Sequence, residues 1–459
     1  MRTLVVGGVA FALWLGSSQD QVDLIVYNAA VVTMDAEGRV LPRGSVAISG
    51  RDIVAVDAAE AIAARYVAKE TFDAGGQIVM PGLVNTHTHA PMVLYRGLAD
   101  DLALMEWLQK YIFPAEAKTV SPEFVRAGTR LAALEMIQSG TTTFTDMYYF
   151  EEEIARVTKA AGLRGVLGQT VIQFPVADAK TPEAALERAE AFLTEFANDE
   201  LIVPALAPHA MYTLDGKTLK AVRAMADRHK APVLIHLAET ADESKTSMQR
   251  HKASPTSYLE SLNFWGPRTL AAHGVWLSAA DIAILAKRKV GLSHNPESNM
   301  KLASGTAKVP ALRRAGVPVG LGTDGAASNN DLDMFEAMRQ AAFLHKLTTN
   351  DPRTLPAKAV LAMGTIEGAR ALGMHDQIGS LEAGKRADLI VVSTAGARQT
   401  PLYDPVSHLV YVARGADVTT TIVNGKFLMR DRKVLTLAEG EILKEASVQA
   451  AKVREAVAR

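Results

Sequence analysis

The chain contains no cysteine among its 459 residues. This absence excludes disulfide bonds, thiolate metal ligands and a cysteine nucleophile. Any metal ion must therefore be bound through nitrogen and oxygen atoms. The absence does not identify a compartment, because a cysteine-free protein can work in reducing and in oxidising surroundings.

The chain also lacks a net charge of either sign. Lys and Arg number 49 against 50 for Asp and Glu, so the formal net charge is −1. This balance provides no overall field that attracts nucleic acid or anionic lipid, and a nucleic-acid partner is not expected. With 48% hydrophobic and 22% charged residues, the composition is that of a globular protein, long enough for one large barrel with an appendage or for two to three domains.

Beyond the N-terminus, no apolar run is long enough for a membrane helix. Met1 and Arg2 precede an apolar run from Leu4 to Leu15, and Gly16-Ser17-Ser18 follows. This pattern resembles a secretory signal peptide, so we expect residues 1–19 to be removed on export to the periplasm or the exterior, with no stable membrane insertion after processing. The alternatives are a mis-assigned start codon in a cytoplasmic protein, or a buried first strand.

Short alternating strands are predicted at both ends of the chain. From Val22 to Asp57 the alternation of apolar and polar residues, interrupted by turn sequences, predicts a small antiparallel sheet. A second β-rich passage spans 387–393 and 418–428, with a turn at Asn424-Gly425. Neither passage can bury a core alone, so the two are expected to pack together.

These patterns lead to an expected domain organisation. Residues 20–80 and 380–435 are expected to form one discontinuous β-sandwich domain. Residues 436–459 have the composition of an amphipathic helix that covers a surface groove. Residues 81–379 remain for the main domain.

In the main domain, short apolar strands alternate with helices over about 300 residues. This repetition favours a parallel (β/α)8 TIM-like barrel, with a doubly wound open sheet as the alternative. No glycine-rich dinucleotide loop follows an early strand, which weakens the alternative. The expected strands are Ile202–Ala207, Val233–His236, Thr269–His273, Val290–Ser293 and Val317–Gly322. The expected helices are Ser121–Ser139, Pro182–Phe196, Gly216–His229, Ser278–Lys287 and Leu332–Leu344.

Candidate metal ligands stand where barrel strands end. His87 and His89 are two residues apart, and residues two apart in a strand point the same way. His236, His273 and Asp324 each close a separate apolar strand. Each one alone is more simply a hydrogen-bonded histidine or a helix-capping aspartate. Because a barrel brings the carboxyl ends of its strands together, their joint occurrence predicts a metal site.

The segments PGLVNTHTH, IHLAE, AAHG, LSHNP and GTDG occur in this order, followed by GSLEAGKRADLIVV. From about Val22 to Phe427 the chain thereby resembles the amidohydrolase superfamily. In its deaminase branch, the residues matching His87, His89, His236 and Asp324 bind one divalent metal ion. The fourth-strand lysine that bridges a second ion in dinuclear members is not apparent in 204–208, so the resemblance implies a single ion.

Three neutral imidazoles and a carboxylate suit Zn²⁺, which is the expected ion, and are also compatible with Fe²⁺ or Mn²⁺. Such an ion lowers the pKa of water toward neutrality. By resemblance, Glu239 relays the proton of this water to the substrate, and His273 orients the nucleophile or stabilises the tetrahedral intermediate. Asp324 also accepts a proton. Without the resemblance, the alternative for Glu239 is a solvated acid that begins a helix. His294 belongs to the superfamily pattern and is expected only to support the ligands from behind.

The expected substrate contacts come from a narrower resemblance. The segments RGLADD at 96–101, MEWL at 105–108 and FPAE at 113–116 resemble the 5'-methylthioadenosine/S-adenosylhomocysteine deaminases. The resemblance implies that Glu116 accepts hydrogen bonds from both ribose hydroxyls, that Trp107 contacts the sugar or its 5'-thioether, and that His209 contacts the purine. The alternatives are that Trp107 belongs to the core and that Glu116 is a surface acid.

One feature departs from this pattern. Some members of the group carry arginines after the third barrel strand that can meet a substrate carboxylate, whereas here Gly168-Gln169-Thr170 and Phe174-Pro175-Val176 stand in that region. We therefore expect methylthioadenosine or adenosine to be handled more readily than S-adenosylhomocysteine.

The expected function is hydrolytic deamination of an adenine nucleoside to its inosine analogue and ammonia. The alternative within enzymes is hydrolysis of another nitrogen heterocycle, such as a triazine, guanine or a pterin. The alternative outside enzymes is a binding protein that retains the barrel. By resemblance, the chain is expected to form a homo-oligomer.

Overall fold

The computed structural model describes residues 19–266 and 268–457. The expected signal peptide falls on residues that lie outside this description. Within the described residues, no helix combines the length and the apolar composition needed to cross a membrane. The strands are β1 Asp20–Val32, β2 Val40–Ser49, β3 Asp52–Ala58, β4 Tyr66–Asp73, β5 Ile78–Pro81, β6 Leu83–Thr88, β7 Thr141–Tyr148, β8 Arg164–Val171, β9 Ile202–Pro208, β10 Val233–Leu237, β11 Thr269–His273, β12 Gly291–His294, β13 Val319–Leu321, β14 Leu389–Val392, β15 Val418–Val423, β16 Lys426–Arg430 and β17 Lys433–Val434.

Helices follow the strands in regular alternation through the central part of the chain. They are α1 Ala59–Arg65, α2 Leu104–Glu106, α3 Phe113–Thr119, α4 Pro122–Ser139, α5 Glu151–Ala161, α6 Pro182–Glu195, α7 Gly216–His229, α8 Ala241–His251, α9 Pro255–Ser261, α10 Ala279–Arg288, α11 Pro296–Lys301, α12 Val309–Arg314, α13 Met334–Thr349, α14 Ala357–Met363, α15 Ile366–Ala371, α16 Pro405–Tyr411 and α17 Glu439–Val457. A π-helix, Trp107–Ile112, joins α2 to α3.

The central strands close into an eight-stranded parallel barrel in the order β10-β11-β12-β13-β6-β7-β8-β9. The ring closes where Leu321 pairs with Asn85 and Val233 pairs with Leu206. Every residue of β7 and β8 is buried, as expected for strands covered by helices on one face and by the barrel interior on the other. The predicted (β/α)8 barrel is confirmed, and the open doubly wound sheet is wrong.

Both ends of the chain contribute to one nine-stranded sheet with the path β17-β16-β15-β14-β5-β1-β2-β3, to which β4 adds beside β1. Strands β1, β2 and β3 pair antiparallel, as predicted. Strand β14 from the C-terminal part pairs with β5 from the N-terminal part, beginning at Leu389 opposite Pro81. Side chains from both parts, including Val26, Val46 and Ile422, share one hydrophobic core.

One part of this sheet was not predicted. Strand β1 is 13 residues long and pairs in parallel with β4 along its first half and with β5 near its end. A parallel partner requires a crossover connection, and α1 lies between β3 and β4. The exact limits of the composite β domain and of the barrel domain stay predictions.

Polar contacts connect the sheet and the C-terminal helix to the barrel. The buried Arg164, which begins β8, pairs with Asp388 at an Nε to Oδ2 distance of 3.0 Å. Helix α17 lies against α3 and α4, where Arg130 pairs with Glu445 at 2.9 Å and Lys118 donates to the carbonyl of Ala456 at 2.8 Å. A C-terminal helix that covers the barrel surface is thus present.

Candidate metal centre and substrate pocket

The carboxyl ends of the barrel strands bring the predicted ligands together. His87 lies on β6 with His89 directly after it, and His236 lies on β10. Asp324 follows β13 in a left-handed conformation, with φ of 64°. For a non-glycine residue this conformation costs about 1 kcal/mol or more, so the surrounding structure must hold it.

The ligand atoms converge within hydrogen-bonding or near-bonding distance. Oδ1 of Asp324 lies 3.4 Å from Nε2 of His87 and 3.3 Å from Nε2 of His89. Nε2 of His236 lies 3.4 Å from Nε2 of His89. The atoms of His87, His89 and Asp324 all fall within 4.8 Å of one another, as do those of His87, His236 and His273. The described chain therefore contains a histidine-rich candidate metal site.

The surroundings of the histidines leave the converging nitrogen atoms available to a cation. Nδ1 of His89 lies 2.7 Å from the carbonyl of Met147, and Nδ1 of His236 lies 2.7 Å from the carbonyl of His209. Each carbonyl accepts a hydrogen bond from Nδ1–H, so Nε2 of the neutral ring keeps its lone pair. Nε2 of His87 is buried and finds no hydrogen-bond partner among the described residues. Burial lowers the pKa of His87 to about 4, which favours the neutral form that binds metals. The donor set fits a zinc-type cation.

Several residues that orient the site were not predicted from the sequence. Ser298 donates from Oγ to Oδ2 of Asp324 at 2.7 Å, and the backbone N–H of Gly325 donates to Oδ1 at 2.7 Å. Nδ1 of His273 lies 3.0 Å from Oδ1 of Asn299. Ser298 and Asn299 both lie on α11, directly after the SHNP segment, which was the available signal.

Glu239 lies beside this centre. It is 6% exposed, so the interpretation as a solvated helix-starting acid is wrong. Its Oε2 is 3.8 Å from Nε2 of His273. Burial raises the pKa of Glu239 above its usual value, although the neighbouring His273 acts in the opposite direction. A carboxyl group with a raised pKa can both take up and release a proton near neutral pH.

A pocket opens directly above the candidate ligands. Its free space, including open solvent, is about 650 Å³, within the range of small-molecule sites. Of the predicted residues, the lining includes His89, Trp107, Glu116, His209, His236, Glu239, His273 and Asp324. Residues that were not predicted also line it, among them Met92, Tyr148, Tyr149, Thr170, Tyr212 and Ser328. The structure thus places every predicted catalytic and substrate-binding residue around one cavity.

Glu116 forms part of the pocket wall at the start of α3. It is 8% exposed, so the alternative of a surface acid is wrong. The hydroxyl of Tyr148 donates to Oε1 of Glu116 at 2.6 Å. Burial raises the pKa of Glu116 to about 7, and this hydrogen bond lowers it only in part. The carboxyl group also lines the pocket, where it can accept hydrogen bonds from a ligand.

Two further predicted residues flank Glu116. Trp107 begins the π-helix, is 5% exposed and lines the pocket, so it is both a core residue and a wall residue. π-helical turns occur frequently at functional sites. Nδ1 of His209 lies 3.1 Å from Oγ1 of Thr213, and burial lowers the pKa of His209 to about 3. His209 therefore faces the pocket as a neutral imidazole.

His294 lies at the end of β12 and away from the ligand atoms. Its Nε2 is 3.2 Å from Nε2 of His345 on α13, and both rings are buried. It thus contacts the helix layer behind the strand, and its supporting position stays a prediction.

Known proteins share this arrangement of barrel and sheet. A model of the amidohydrolase family matches residues 78–428. The chain belongs to the amidohydrolase family. This amidohydrolase is 47% identical over 429 residues to the 5-methylthioadenosine/S-adenosylhomocysteine deaminase of Syntrophobacter fumaroxidans, a match that covers 94% of this chain and 97% of that protein. The family resemblance inferred from the motifs is confirmed.

Two further comparisons agree with this assignment. The amidohydrolase is 46% identical over 430 residues to the 5'-deoxyadenosine deaminase of Methanosarcina acetivorans, covering 93% of this chain and 98% of that protein. A solved structure of an adenosine deaminase from Xanthomonas campestris, with bound zinc, superposes with a TM-score of 0.94 at 40% identity. That match covers 95% of this chain and 100% of the other.

Proposed function

We propose that this amidohydrolase is a metal-dependent deaminase of adenine nucleosides. The reaction adds water at C6 of the adenine ring, breaks the bond from C6 to the amino nitrogen, and releases ammonia and the inosine analogue. One observation carries the proposal most strongly. The buried carboxyl group of Glu116 lies in the wall of the same pocket as Glu239 and the candidate ligands.

A buried carboxylate needs partners, and ribose supplies them. Two neighbouring hydroxyl groups can both donate to one carboxylate. A bare heterocycle such as a triazine or guanine offers no such pair, so its binding would leave Glu116 with Tyr148 alone. The adenosine and deoxyadenosine deaminase relatives support the same substrate class.

His87, His89, His236 and Asp324 are proposed to hold one Zn²⁺, because their nitrogen and oxygen atoms converge and suit that ion. When bound, such an ion acts as a Lewis acid that makes water nucleophilic near neutral pH. Strand β9 runs through Pro204 and Ala205 and presents no lysine that could bridge a second ion. A single ion is therefore proposed.

Glu239 and His273 are proposed to handle the protons and the developing charge. Glu239 takes one proton from the attacking water and passes it to the ring nitrogen next to C6, where it stays in the inosine analogue. His273, 3.8 Å from Glu239, donates to the oxygen added at C6 and stabilises the tetrahedral intermediate. Asp324 accepts the second proton from that oxygen and passes it to the departing amino group, which leaves as ammonia. His209 is proposed to contact the purine and Trp107 the sugar.

The surface next to Glu116 supports a preference among 5' groups, if the substrate extends over it. A groove there is lined by Phe113, Phe174, Pro175, Val176, Ala177 and Lys180. The rings of Phe113 and Phe174 meet with centroids 5.8 Å apart, and the ammonium of Lys180 donates to the carbonyl of Val176 at 3.0 Å. This mainly apolar lining favours a methyl or methylthio group over the charged homocysteine part of S-adenosylhomocysteine.

Ammonia release from a substrate series tests the proposal. We expect turnover of methylthioadenosine, 5'-deoxyadenosine and adenosine, slower turnover of S-adenosylhomocysteine, and none of guanine, pterins or triazines. Glu116→Ala is expected to reduce kcat/KM for nucleosides about 100-fold, because a charge-assisted hydrogen-bond pair is worth roughly 3 kcal/mol.

Glu106→Ala is the matched control. Glu106 ends α2, the helix before the π-helix, pairs with Lys110 and is not part of the pocket lining. It is expected to leave kcat/KM unchanged. Nucleoside turnover that survives Glu116→Ala would refute ribose recognition by Glu116, and preferential turnover of a bare heterocycle would favour the alternative substrates. No turnover and no bound metal would favour a non-catalytic binding protein.

A further inference from the structure

Glu243 is a buried acid next to the proposed proton-transfer residue. It lies on the first turn of α8 and is 5% exposed. Its Oε1 accepts the backbone N–H of Ala238 at 3.0 Å, and its Oε2 accepts the backbone N–H of Glu239 at 3.0 Å. One carboxylate therefore accepts hydrogen bonds from two successive backbone N–H groups.

The sequence pattern predicts a different role for this carboxylate. Thr240 and Glu243 have the T-x-x-E spacing of a capping box, in which the acid returns to the backbone N–H of the first residue. In the structure Thr240 caps the helix alone, accepting the N–H of Glu243 at 3.2 Å. The carboxylate reaches past Thr240 to residues 238 and 239. The start of α8 thus has its cap without the carboxylate of Glu243.

The backbone of residues 237–239 is also hydrogen-bonded on the side opposite to Glu243. The carbonyl of Leu237 accepts the N–H of Gly274, and the carbonyl of Ala238 accepts the N–H of Trp276, both at 2.9 Å. These donors follow His273 directly in the chain. The backbone at Glu239 is therefore held from one side by Glu243 and from the other by the segment that carries His273.

This fastening maintains a bend that the chain does not favour by itself. Ala238 has a φ of 49° and His273 a φ of 73°, both in the left-handed region. Each such residue costs about 1 kcal/mol or more and persists only where the surroundings hold it. The bend at Ala238 turns the chain at the end of β10, so that Glu239 lines the pocket.

We propose that Glu243 is a positioning residue that fixes the peptide groups of residues 238 and 239 and thereby sets the carboxyl group of Glu239 against the substrate. This inference depends on the proton-transfer role proposed for Glu239. Glu243 acts through the backbone, since its two oxygen atoms accept the N–H groups of Ala238 and Glu239. Its side chain lines the adjoining cavity, which it shares with Glu239, and not the substrate pocket.

The substitution Glu243→Gln isolates this role at nearly constant volume. A glutamine side chain offers one acceptor oxygen, and its amide group carries donors in place of the second acceptor. One of the two backbone N–H groups must then face another donor, which disfavours the native bend. A displacement of about 1 Å in a catalytic group can reduce the rate about 100-fold.

Steady-state kinetics of the zinc-loaded enzyme tests the inference. For Glu243→Gln we expect kcat for methylthioadenosine to fall roughly 10- to 100-fold, as for residues that orient a catalytic group, while KM changes less than about twofold and zinc content is unchanged. Glu243→Asp, which keeps both acceptors on a shorter side chain, is expected to retain more of kcat than Glu243→Gln. If the Glu243→Gln variant fails to fold, the kcat of Glu243→Asp tests the positioning role in its place.

Asp281→Asn is the matched control. Asp281 is 2% exposed and forms a complete capping box with Ser278 at the start of α10. The variant is expected to lower the melting temperature without changing kcat. A crystal structure of Glu243→Gln is expected to show the Glu239 carboxyl group displaced from His273.

Two results would overturn the positioning role. One is a wild-type kcat in Glu243→Gln. The other is an unmoved Glu239 carboxyl group in the crystal structure of that variant. If the wild-type enzyme releases no ammonia from any nucleoside, the proposed function fails instead, and the position of Glu239 in the crystal structure still decides the role of Glu243.

Discussion

Glu116 has a carboxyl group that its surroundings make difficult to ionise. Burial raises its pKa to about 7, so the protonated form dominates in the free enzyme below that pH. A protonated carboxyl group cannot accept hydrogen bonds from two hydroxyls at once as a carboxylate can. We therefore predict that kcat/KM for adenine nucleosides falls as the pH decreases below about 7.

The pH profile of kcat/KM for Glu116→Gln checks the assignment, because glutamine does not titrate in this range. The variant is expected to have a lower kcat/KM at neutral pH and to lose the acidic limb with an apparent pKa near 7. An acidic limb that persists unchanged in the variant would assign the titration to another group.

Glu239 is predicted to be essential for turnover and dispensable for metal binding. In Glu239→Gln the side chain keeps its volume but cannot transfer a proton, so kcat is expected to fall roughly 100- to 10,000-fold. Zinc content per chain is expected to equal that of the wild type, measured by atomic emission on the same samples. Loss of less than about tenfold in kcat would contradict the proton-transfer role.

Some site residues could be predicted from the sequence, and others could not. His236 and Asp324 were predictable because each closes an apolar strand, and strand ends meet in a barrel. His87 was predictable because it stands two residues before His89. Tyr148 was not, because its contact with Glu116 joins residues 32 positions apart on a strand and a separate helix. Glu243 was predictable only as a capping-box acid, since its actual partners depend on the left-handed turn at Ala238.

At the scale of elements, the contact between β8 and the C-terminal part of the chain depends on the buried pair of Arg164 and Asp388. Asp388→Ala would leave the guanidinium of Arg164 buried with Asn424 and a backbone carbonyl as its remaining partners. We predict a loss of about 3 to 5 kcal/mol in the free energy of unfolding, measured by chemical denaturation.

Arg51→Ala is the matched control for this prediction. Arg51 connects the same sheet to the same barrel through Glu200, but the two side chains are 43% and 67% exposed. Because exposed pairs contribute little, this variant is expected to lose about 1 kcal/mol or less. Equal losses of unfolding free energy in the two variants would contradict a larger contribution from the buried pair of Arg164 and Asp388.

Helix positions followed closely from local signals. Helix α4 was expected over Ser121–Ser139 and extends over Pro122–Ser139, because Ser121 caps its start and Gly140 ends it with a φ of 86°. The π-helix Trp107–Ile112 had no comparable signal. Three of its residues, Trp107, Leu108 and Ile112, line the pocket.

At the scale of the whole molecule, the repetition of strands and helices favoured the barrel over the doubly wound open sheet, because parallel strands joined by helices form few topologies. The union of the two chain ends was predictable because neither end could bury a core alone. The parallel pairing of β4 with β1 was not, since α1 is only seven residues long and its crossover resembles a turn region.

The proposed metal ion is also predicted to stabilise the whole barrel, because its ligands lie on or just after three separate strands, β6, β10 and β13. A ligand that binds only the folded state at 100 times its Kd adds about 2.7 kcal/mol to the stability. Chelation is therefore expected to lower the melting temperature, and added zinc to restore it. An unchanged melting temperature, with zinc removal verified by atomic emission, would contradict this coupling.

The most direct test of the metal centre is a titration of zinc into chelated protein, with ammonia release from methylthioadenosine recorded at each addition. We expect the rate to rise in proportion to added zinc and to reach its plateau at about one ion per chain, as for a site with one catalytic ion. Full activity in the zinc-free protein, or a plateau only at about two ions per chain, would contradict it.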